Sequence, residues 1–386
     1  MSTETDLAFF FSAEQLEIAA TLDRLLSERW PLENRRADLH PPRLWRDLAE
    51  LGILGLPFPE AAGGLGGGPL DMVLVTETLG RHLAASPYVA STAVVSTLIG
   101  AADPALTGPL MSAASSCAVA LDLSDPHSCG ATYKQSGGGF VIDGSCVALF
   151  GPADAELVLV PARPAPTSVN AGPARVFLLS ASRDASRIGK ARTLDGLSSH
   201  LTLAGVPVER SACVGGECDA TARIAAATDL MLLGYAAEAV GLGKALLQRT
   251  VDYVKVRKQF GVTVGSFQAI QHRLVEMFTA IEIASAQVQS TAAQFQHATE
   301  ARRRGLAIAT KMFADEAGRN IAREAVQLHG GMGLTSELDV GDFFKRLLTI
   351  RMIDGGRKAQ KSSLLHLRNV SGPVHSSQWR GAETLL

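Results

Sequence analysis

Two segments in the C-terminal third of this 386-residue chain carry side chains suited to holding a long, charged cofactor. The first reads Tyr253-Val-Lys-Val-Arg257-Lys-Gln259-Phe260-Gly261, followed by Phe267-Gln268-Ala-Ile-Gln271. The second reads Ala325-Val-Gln327-Leu-His-Gly330-Gly331-Met-Gly333. Each joins a helical pattern to a compact anion or dipole contact. A planar guanidinium such as that of Arg257 offers forked donors to phosphate oxygens. Glycines such as Gly330 and Gly331 leave the backbone without a Cβ and free to turn. Alone, Arg257 reads as a snorkelling arginine at a helix end; Gln-Phe-Gly beside it and Gln-Leu-His-Gly-Gly downstream favour binding. His329 reads as a hydrogen-bonded packing residue, Glu238 as a solvated or paired carboxylate, and Arg302-Arg303-Arg304 as a solvated turn between helices.

These segments sit within long helical patterns. From Thr221 to about Arg368 the apolar spacing is helical, with breaks expected at Gly261, around Arg302–Gly305 and at Gly330–Gly333. Before that, from about Ala113, short β-type runs alternate with Gly, Pro, Ser and Asp: Cys117–Leu123, Phe140–Asp143, Glu156–Val160, Arg175–Leu179 and Leu201–Val208. They predict a small antiparallel barrel or sandwich. The first hundred residues are helical again. Ser12 and Gln15 form a capping box, Gly52 stops a helix carrying Leu44, Leu48 and Leu51, and another helix runs from about Leu70 to Gly80. The expected organisation is mainly α with a β middle domain: 1–112 helical, 113–218 β, 219–368 a helical bundle, and 369–386 a loose tail.

Composition narrows the function further. A net charge of −2 gives no electrostatic reason to expect a nucleic-acid partner. No run approaches the length of uncharged apolar sequence that a membrane span needs, and the start has no basic region of a signal peptide. The five cysteines lie mid-chain without a Cys-x-x-Cys pair, which reads as reduced thiols in a cytoplasmic protein. With no His-Glu-x-x-His and no Cys/His cluster, no metal site is expected.

The two C-terminal segments, Pro59-Glu-Ala-Ala-Gly-Gly-Leu-Gly66, Val75-Thr-Glu-Thr-Leu-Gly-Arg81 and Ala237-Glu-Ala-Val-Gly-Leu-Gly243 together resemble the acyl-CoA dehydrogenase family over nearly the whole chain. The resemblance implies that family's fold: an N-terminal helical domain, a small antiparallel β-barrel or sandwich, and a C-terminal four-helix bundle. It also implies FAD as cofactor, an acyl-CoA substrate, an electron-transfer flavoprotein as acceptor, and a homotetramer or a heterotetramer with a paralogous subunit. In that reading Arg257 reaches a neighbour's FAD pyrophosphate, with Gln259 in the same motif. Phe260 and Gln268 line the adenosine end, and Gln327, Gly330 and Gly331 come from a third subunit.

The family reaction is α,β-desaturation of the thioester, in which a carboxylate takes the α-proton while the β-hydrogen leaves as hydride to flavin N5. By the same resemblance Asp354 stands at the base position, where the family has Glu; its oxygen reaches about 1.5 Å less, one carbon–carbon bond. The alternative base position falls on Met231, which takes no proton. The flavin-contacting Thr-Glu-Pro and Trp-x-Thr strands are replaced by Asp122-Leu-Ser124 and Cys146-Val-Ala148, and the Thr after the base is Gly356. Residues that would serve a neighbour's FAD are present while those of the chain's own flavin cradle are not. Three readings therefore stand beside a dehydrogenase: a non-catalytic subunit completing a partner's FAD site, a flavin-dependent monooxygenase relative, and a CoA-ester binding protein without flavin.

Overall fold

A computed structural model describes residues 11–30, 42–84, 86–100, 104–123, 129–152, 154–166, 172–181, 188–192, 198–216 and 218–370. Most of the tail expected to be a loose strand lies outside them.

The first helix, α1 (Ala13–Arg29), starts as its sequence dictates. Ser12 Oγ accepts from the Gln15 N–H, and Gln15 Oε1 accepts from the Ser12 N–H. Gln15 Nε2 also donates to Asp71 Oδ1, whose other oxygen accepts from the Gly68 N–H and caps a later helix. One pair of side chains thus starts two helices and joins them. After α2 (Pro42–Glu50) comes a glycine-rich turn, then α3 (Pro69–Arg81), a π-helical turn Val89–Val94 running into α4 (Val95–Ile99), and α5 (Pro104–Met111).

The middle region forms strands β1 (Cys117–Ala120), β2 (Ala131–Ser136), β3 (Gly139–Phe150), β4 (Leu157–Pro164), β5 (Arg175–Ser180), β6 (Ile188–Arg192) and β7 (Ser198–Val208). They make one sheet, with a correction to the antiparallel expectation: β4 runs parallel to both β1 and β2. β1 and β2 share one slot between β3 and β4, β1 along one half and β2 along the other. Alternation assigns the two faces. Ala118, Ala120, Val158, Val160, Phe177 and Leu179 point into the sheet's own core, while Cys117, Val119, Leu159 and Val176 pack on the helices. Both faces are therefore apolar, which is why these strands read as continuous hydrophobic runs.

The remainder is α6 (Thr221–Val256), a hairpin of β8 (Lys258–Gln259) and β9 (Val262–Thr263), α7 (Gln268–Gln294), α8 (Glu300–His329), a 3-10 turn Gly330–Leu334, α9 (Val340–Met352) and α10 (Gly356–Val370). Among the described residues α6 alone is long and apolar enough to cross a membrane, yet 94% of its most apolar window is buried inside the fold. Its apolarity belongs to the core. Two glycines let α6 and α3 touch backbone to backbone: a Cβ on Gly241 would lie 2.0 Å from the Glu77 carbonyl oxygen, and one on Gly80 would lie 2.6 Å from that of Glu238. Gly241→Ala must push the two helices apart. We expect a loss of about 1–3 kcal/mol, read as a lower urea midpoint; an unchanged midpoint would contradict this crossing.

The break expected around Arg302–Gly305 falls a few residues earlier, between Gln294, where α7 ends, and Glu300, where α8 begins and runs on through the arginines. Nor are those arginines a solvated turn. Arg303 Nε and Arg304 Nη1 each donate to Asp229, which is fully buried on α6, and Arg304 Nη2 donates to the Leu123 carbonyl. Burial pushes the Asp229 carboxyl up, against the downward pull of Arg304 and Arg303. This triad ties the bundle to the segment that follows β1.

Candidate functional site

Arg257 is where α6 stops. Its φ and ψ of −67° and 125° are extended, and its N–H still donates to the Tyr253 carbonyl. The chain then reverses through the β8–β9 hairpin, whose turn residues Phe260 and Gly261 both have positive φ, 52° and 82°. A two-residue hairpin turn of the right twist requires this; glycine adopts it freely and phenylalanine at a cost. The turn holds Phe260 out, 93% exposed, with its ring edge-on to Phe267 at 6.5 Å. Gln259 lies in β8 and Gln268 is the first residue of α7, both exposed. Arg257, Gln259, Phe260 and Gln268 therefore share one projecting hairpin. At its base, Val251, Val254, Lys255, Thr263, Gly265, Ser266 and Leu274 line an open pocket of about 260 Å³.

The second segment is the corner where α8 ends. Gln327 is exposed in the last helical turn. Gly330 has φ 61° and ψ −140°, a conformation closed to residues with a Cβ. A Cβ added at Gly330 or Gly331 would meet nothing within 4 Å, so the protomer leaves this backbone bare. Gly333 is different: its Cβ would lie 2.9 Å from the Val326 carbonyl oxygen, and this close contact folds the turn back on α8.

Hairpin and corner belong to one region of the protomer. The Tyr253 ring stacks on His329 at 4.3 Å, and Tyr253 Oη donates to the His329 carbonyl at 3.3 Å. His329 Nδ1 lies 2.8 Å from the Ala325 carbonyl, which makes Nδ1 the protonated nitrogen. Burial pushes the imidazole below its usual pKa, opposed by that hydrogen bond and by Asp339. His329 is thus a neutral packing residue. Close by, Arg249 Nε donates to both carboxylate oxygens of Asp339 and its guanidinium lies over Phe343 at 4.7 Å.

Asp354 is not in this region. It lies beyond the far end of α9, a helix of 13 residues and so about 20 Å long. It is buried, with Oδ1 accepting from the Gly356 N–H at 3.2 Å and Oδ2 accepting from Gln360 Nε2 at 2.8 Å. Gln360 also donates to Asp315, which is held by Lys311 at 2.6 and 2.7 Å. Burial raises the Asp315 carboxyl against the pull of Lys311. Both Asp354 oxygens thus have partners inside the protomer. Two consecutive glycines after it, Gly355 and Gly356, have φ of 82° and 68°.

A third place was not legible as a site. Between β3, α6, α9 and the segment Ser86–Ala90 lies a cleft lined also by Gly151, Tyr235, Glu238 and Arg346, and its free volume is only about 20 Å³. Arg346 Nε and Nη2 donate to the two oxygens of Glu238 at 2.6 and 2.8 Å, with both side chains buried. The Tyr235 ring packs at 6.2 Å from Phe150. The paired reading of Glu238 is the one observed; its partner, 108 residues away, had no local signal. Ser124 and the side chains of Cys146 and Val147 lie outside the described residues; Ala148, in β3, is half-buried.

Comparison with known proteins adds to this geometry. The acyl-CoA dehydrogenase N-terminal domain matches residues 12–113 and the acyl-CoA dehydrogenase C-terminal domain matches residues 224–365. Acyl-CoA dehydrogenase FadE27 of Mycobacterium tuberculosis is 32% identical over 334 residues, covering 82% of this chain and 85% of that protein. Acyl-CoA dehydrogenase IpdE2 of Mycolicibacterium smegmatis is 30% identical over 312 residues, covering 80% and 82%. Among solved structures, the ChsE4-ChsE5 complex from Mycobacterium tuberculosis aligns with a TM-score of 0.82 at 25% identity, over 95% of this chain and 100% of that one. A variant of the Tcur3481-Tcur3483 steroid ACAD aligns with a TM-score of 0.80 at 26% identity, over 93% and 98%.

Proposed function

The chain belongs to the acyl-CoA dehydrogenase family, whose cofactor is FAD, and from that premise we propose that it is a subunit of a two-component acyl-CoA dehydrogenase, completing the flavin site of a paralogous partner. The observation that carries the reading is a contrast within one protomer. Arg257, Phe260, Gln268, Gln327, Gly330 and Gly331 are exposed, with bare backbone at the glycines. The cleft lined by Tyr235, Glu238 and Arg346, by contrast, holds about 20 Å³ behind a buried ion pair. Arg257 lies 19 residues along α6 from Glu238, about 28 Å at helical rise, so it is far from that cleft and faces outward.

The exposed elements fit a nucleotide cofactor held across an interface. The Arg257 guanidinium neutralises the pyrophosphate with forked donors, Phe260 and Gln268 line the adenosine end, and the glycine corner approaches without side chains. Bound FAD supplies the hydride acceptor for α,β-desaturation of the thioester. The α-proton goes to a carboxylate of the partner. Val256, Phe260, Val262 and Phe267 around the hairpin, and Val275, Phe278 and Ile283 along α7, are exposed apolar residues that an assembly of subunits would cover. The two-component names ChsE4-ChsE5 and Tcur3481-Tcur3483, the latter a steroid enzyme, support a paired subunit and a bulky acyl-CoA substrate.

A flavin spectrum tests this. Purified alone, the chain should be colourless; co-expressed with a paralogue from its genomic neighbourhood, the pair should be yellow. A full flavin complement on the chain alone overturns the reading. The second reading makes Asp354 the base, and it rests on the Gly355–Gly356 turn, whose backbone can re-aim the carboxylate. In the flavin-loaded pair, Asp354→Asn should leave substrate-dependent bleaching of the flavin in place, because both Asp354 oxygens are already bonded within this protomer. Abolished bleaching would give the base to Asp354.

A further inference from the structure

Tyr253 lies one helical turn before Arg257, and His329 directly precedes Gly330. Their contact is the point at which the two exposed segments are fixed to each other. We propose that His329 and Tyr253 are positioning residues for Arg257: the stacked pair clamps the last turn of α6 to the end of α8 and so sets the direction in which the guanidinium leaves the protomer. This rests on the flavin-contact reading above.

The geometry supplies the clamp from several sides. His329 is itself held by the 2.8 Å contact of Nδ1 with the Ala325 carbonyl, one turn back on its own helix, so its ring has a fixed plane. Tyr253 meets that plane at 27° and adds its own donation to the His329 carbonyl. The carbonyl that accepts the Arg257 N–H is that of Tyr253. A displacement of the Tyr253 turn therefore moves the Arg257 backbone directly. Arg249, one turn earlier, is held to Asp339 at the start of α9, and after the clamp the Arg257 carbonyl accepts from the Val264 N–H of the returning chain, so the arginine backbone is held on both sides. Beyond Tyr253, Val254 is buried while Lys255, Val256 and Arg257 are exposed.

The test measures FAD affinity of the purified assembly, stripped of flavin and titrated with FAD, beside its melting temperature. His329→Ala and Tyr253→Leu should each weaken FAD binding on the order of tenfold, within the scale of a misplacement of about 1 Å. His329→Phe and Tyr253→Phe keep the flat ring and should rescue binding to near the wild-type value. The double variant Arg257→Ala/His329→Ala should bind no more weakly than Arg257→Ala alone, since the pair acts through that arginine. Additive losses in the double variant, or wild-type affinity in both ring-removing variants while Arg257→Ala loses flavin, would overturn the clamp and leave the flavin-contact reading standing. Wild-type affinity in Arg257→Ala itself would remove that reading first. If His329→Ala does not assemble, Tyr253→Leu, at a half-buried position, decides by the same comparison with Arg257→Ala.

Discussion

Arg257→Ala is expected to weaken FAD binding to the assembly by roughly 10- to 150-fold, the loss of about 1.5–3 kcal/mol that a hydrogen bond to a charged group contributes. Stability should not change, since the side chain is exposed and no described residue hydrogen-bonds it within the protomer. Surface substitutions of this kind stay within about 0.5 kcal/mol. Arg257→Lys should fall between the two, because an ammonium keeps the charge but lacks the planar fork. The loss should shrink as salt rises, since an exposed ion contact is screened over about 8 Å at physiological ionic strength. Titration of the stripped assembly with FAD, in parallel with a thermal melt, separates binding from folding. An unchanged affinity would take the guanidinium away from the pyrophosphate and leave the hairpin without a ligand.

The hairpin and the glycine corner were legible in the sequence because their cause is local. Phe260-Gly261 must turn, Gly330 must adopt a backbone closed to other residues, and Ser12 with Gln15 must cap a helix; each follows from a few adjacent residues. What escaped the sequence depends on partners far along the chain. Arg302–Gly305 contains three arginines and a glycine, locally the signature of a solvated break. Asp229, buried 74 and 75 positions away, draws Arg303 and Arg304 onto the bundle within the first turns of α8, and the break falls before them. The parallel pairing of β4 escaped for a related reason, since strand direction is fixed by which edge is open and not by alternation within the strand. The candidate site divides in the same way. Residue types suited to a ligand announce themselves by motif, whereas Tyr253 and His329 look like ordinary aromatic packing until their 4.3 Å stack is seen. Asp354 falls between: the resemblance expects a base at its place along the chain, but its hydrogen bonds are those of a buried cap.

The Glu238–Arg346 pair leads to the second large effect. With both side chains buried, Arg346→Leu would leave the Glu238 carboxylate without its counter-ion in a low-dielectric interior. Breaking a buried pair from one side costs about 3–5 kcal/mol, mostly the desolvation of the charge left behind. The urea midpoint of the chain should fall accordingly. Replacing both partners, Glu238→Leu with Arg346→Leu, removes the two charges together, and stability should return close to the starting value, because a buried ion pair and an apolar pair of similar volume are often near equal. That recovery would also bear on the closed cleft. If charge attraction draws α9 onto α6, the cleft in the double variant is shut by packing alone, against the Tyr235 and Phe150 rings. An equal loss in the single and the double variants would mean instead that the Arg346 stem fills the space. The cleft would then be closed by volume, and the ion pair would be incidental to it.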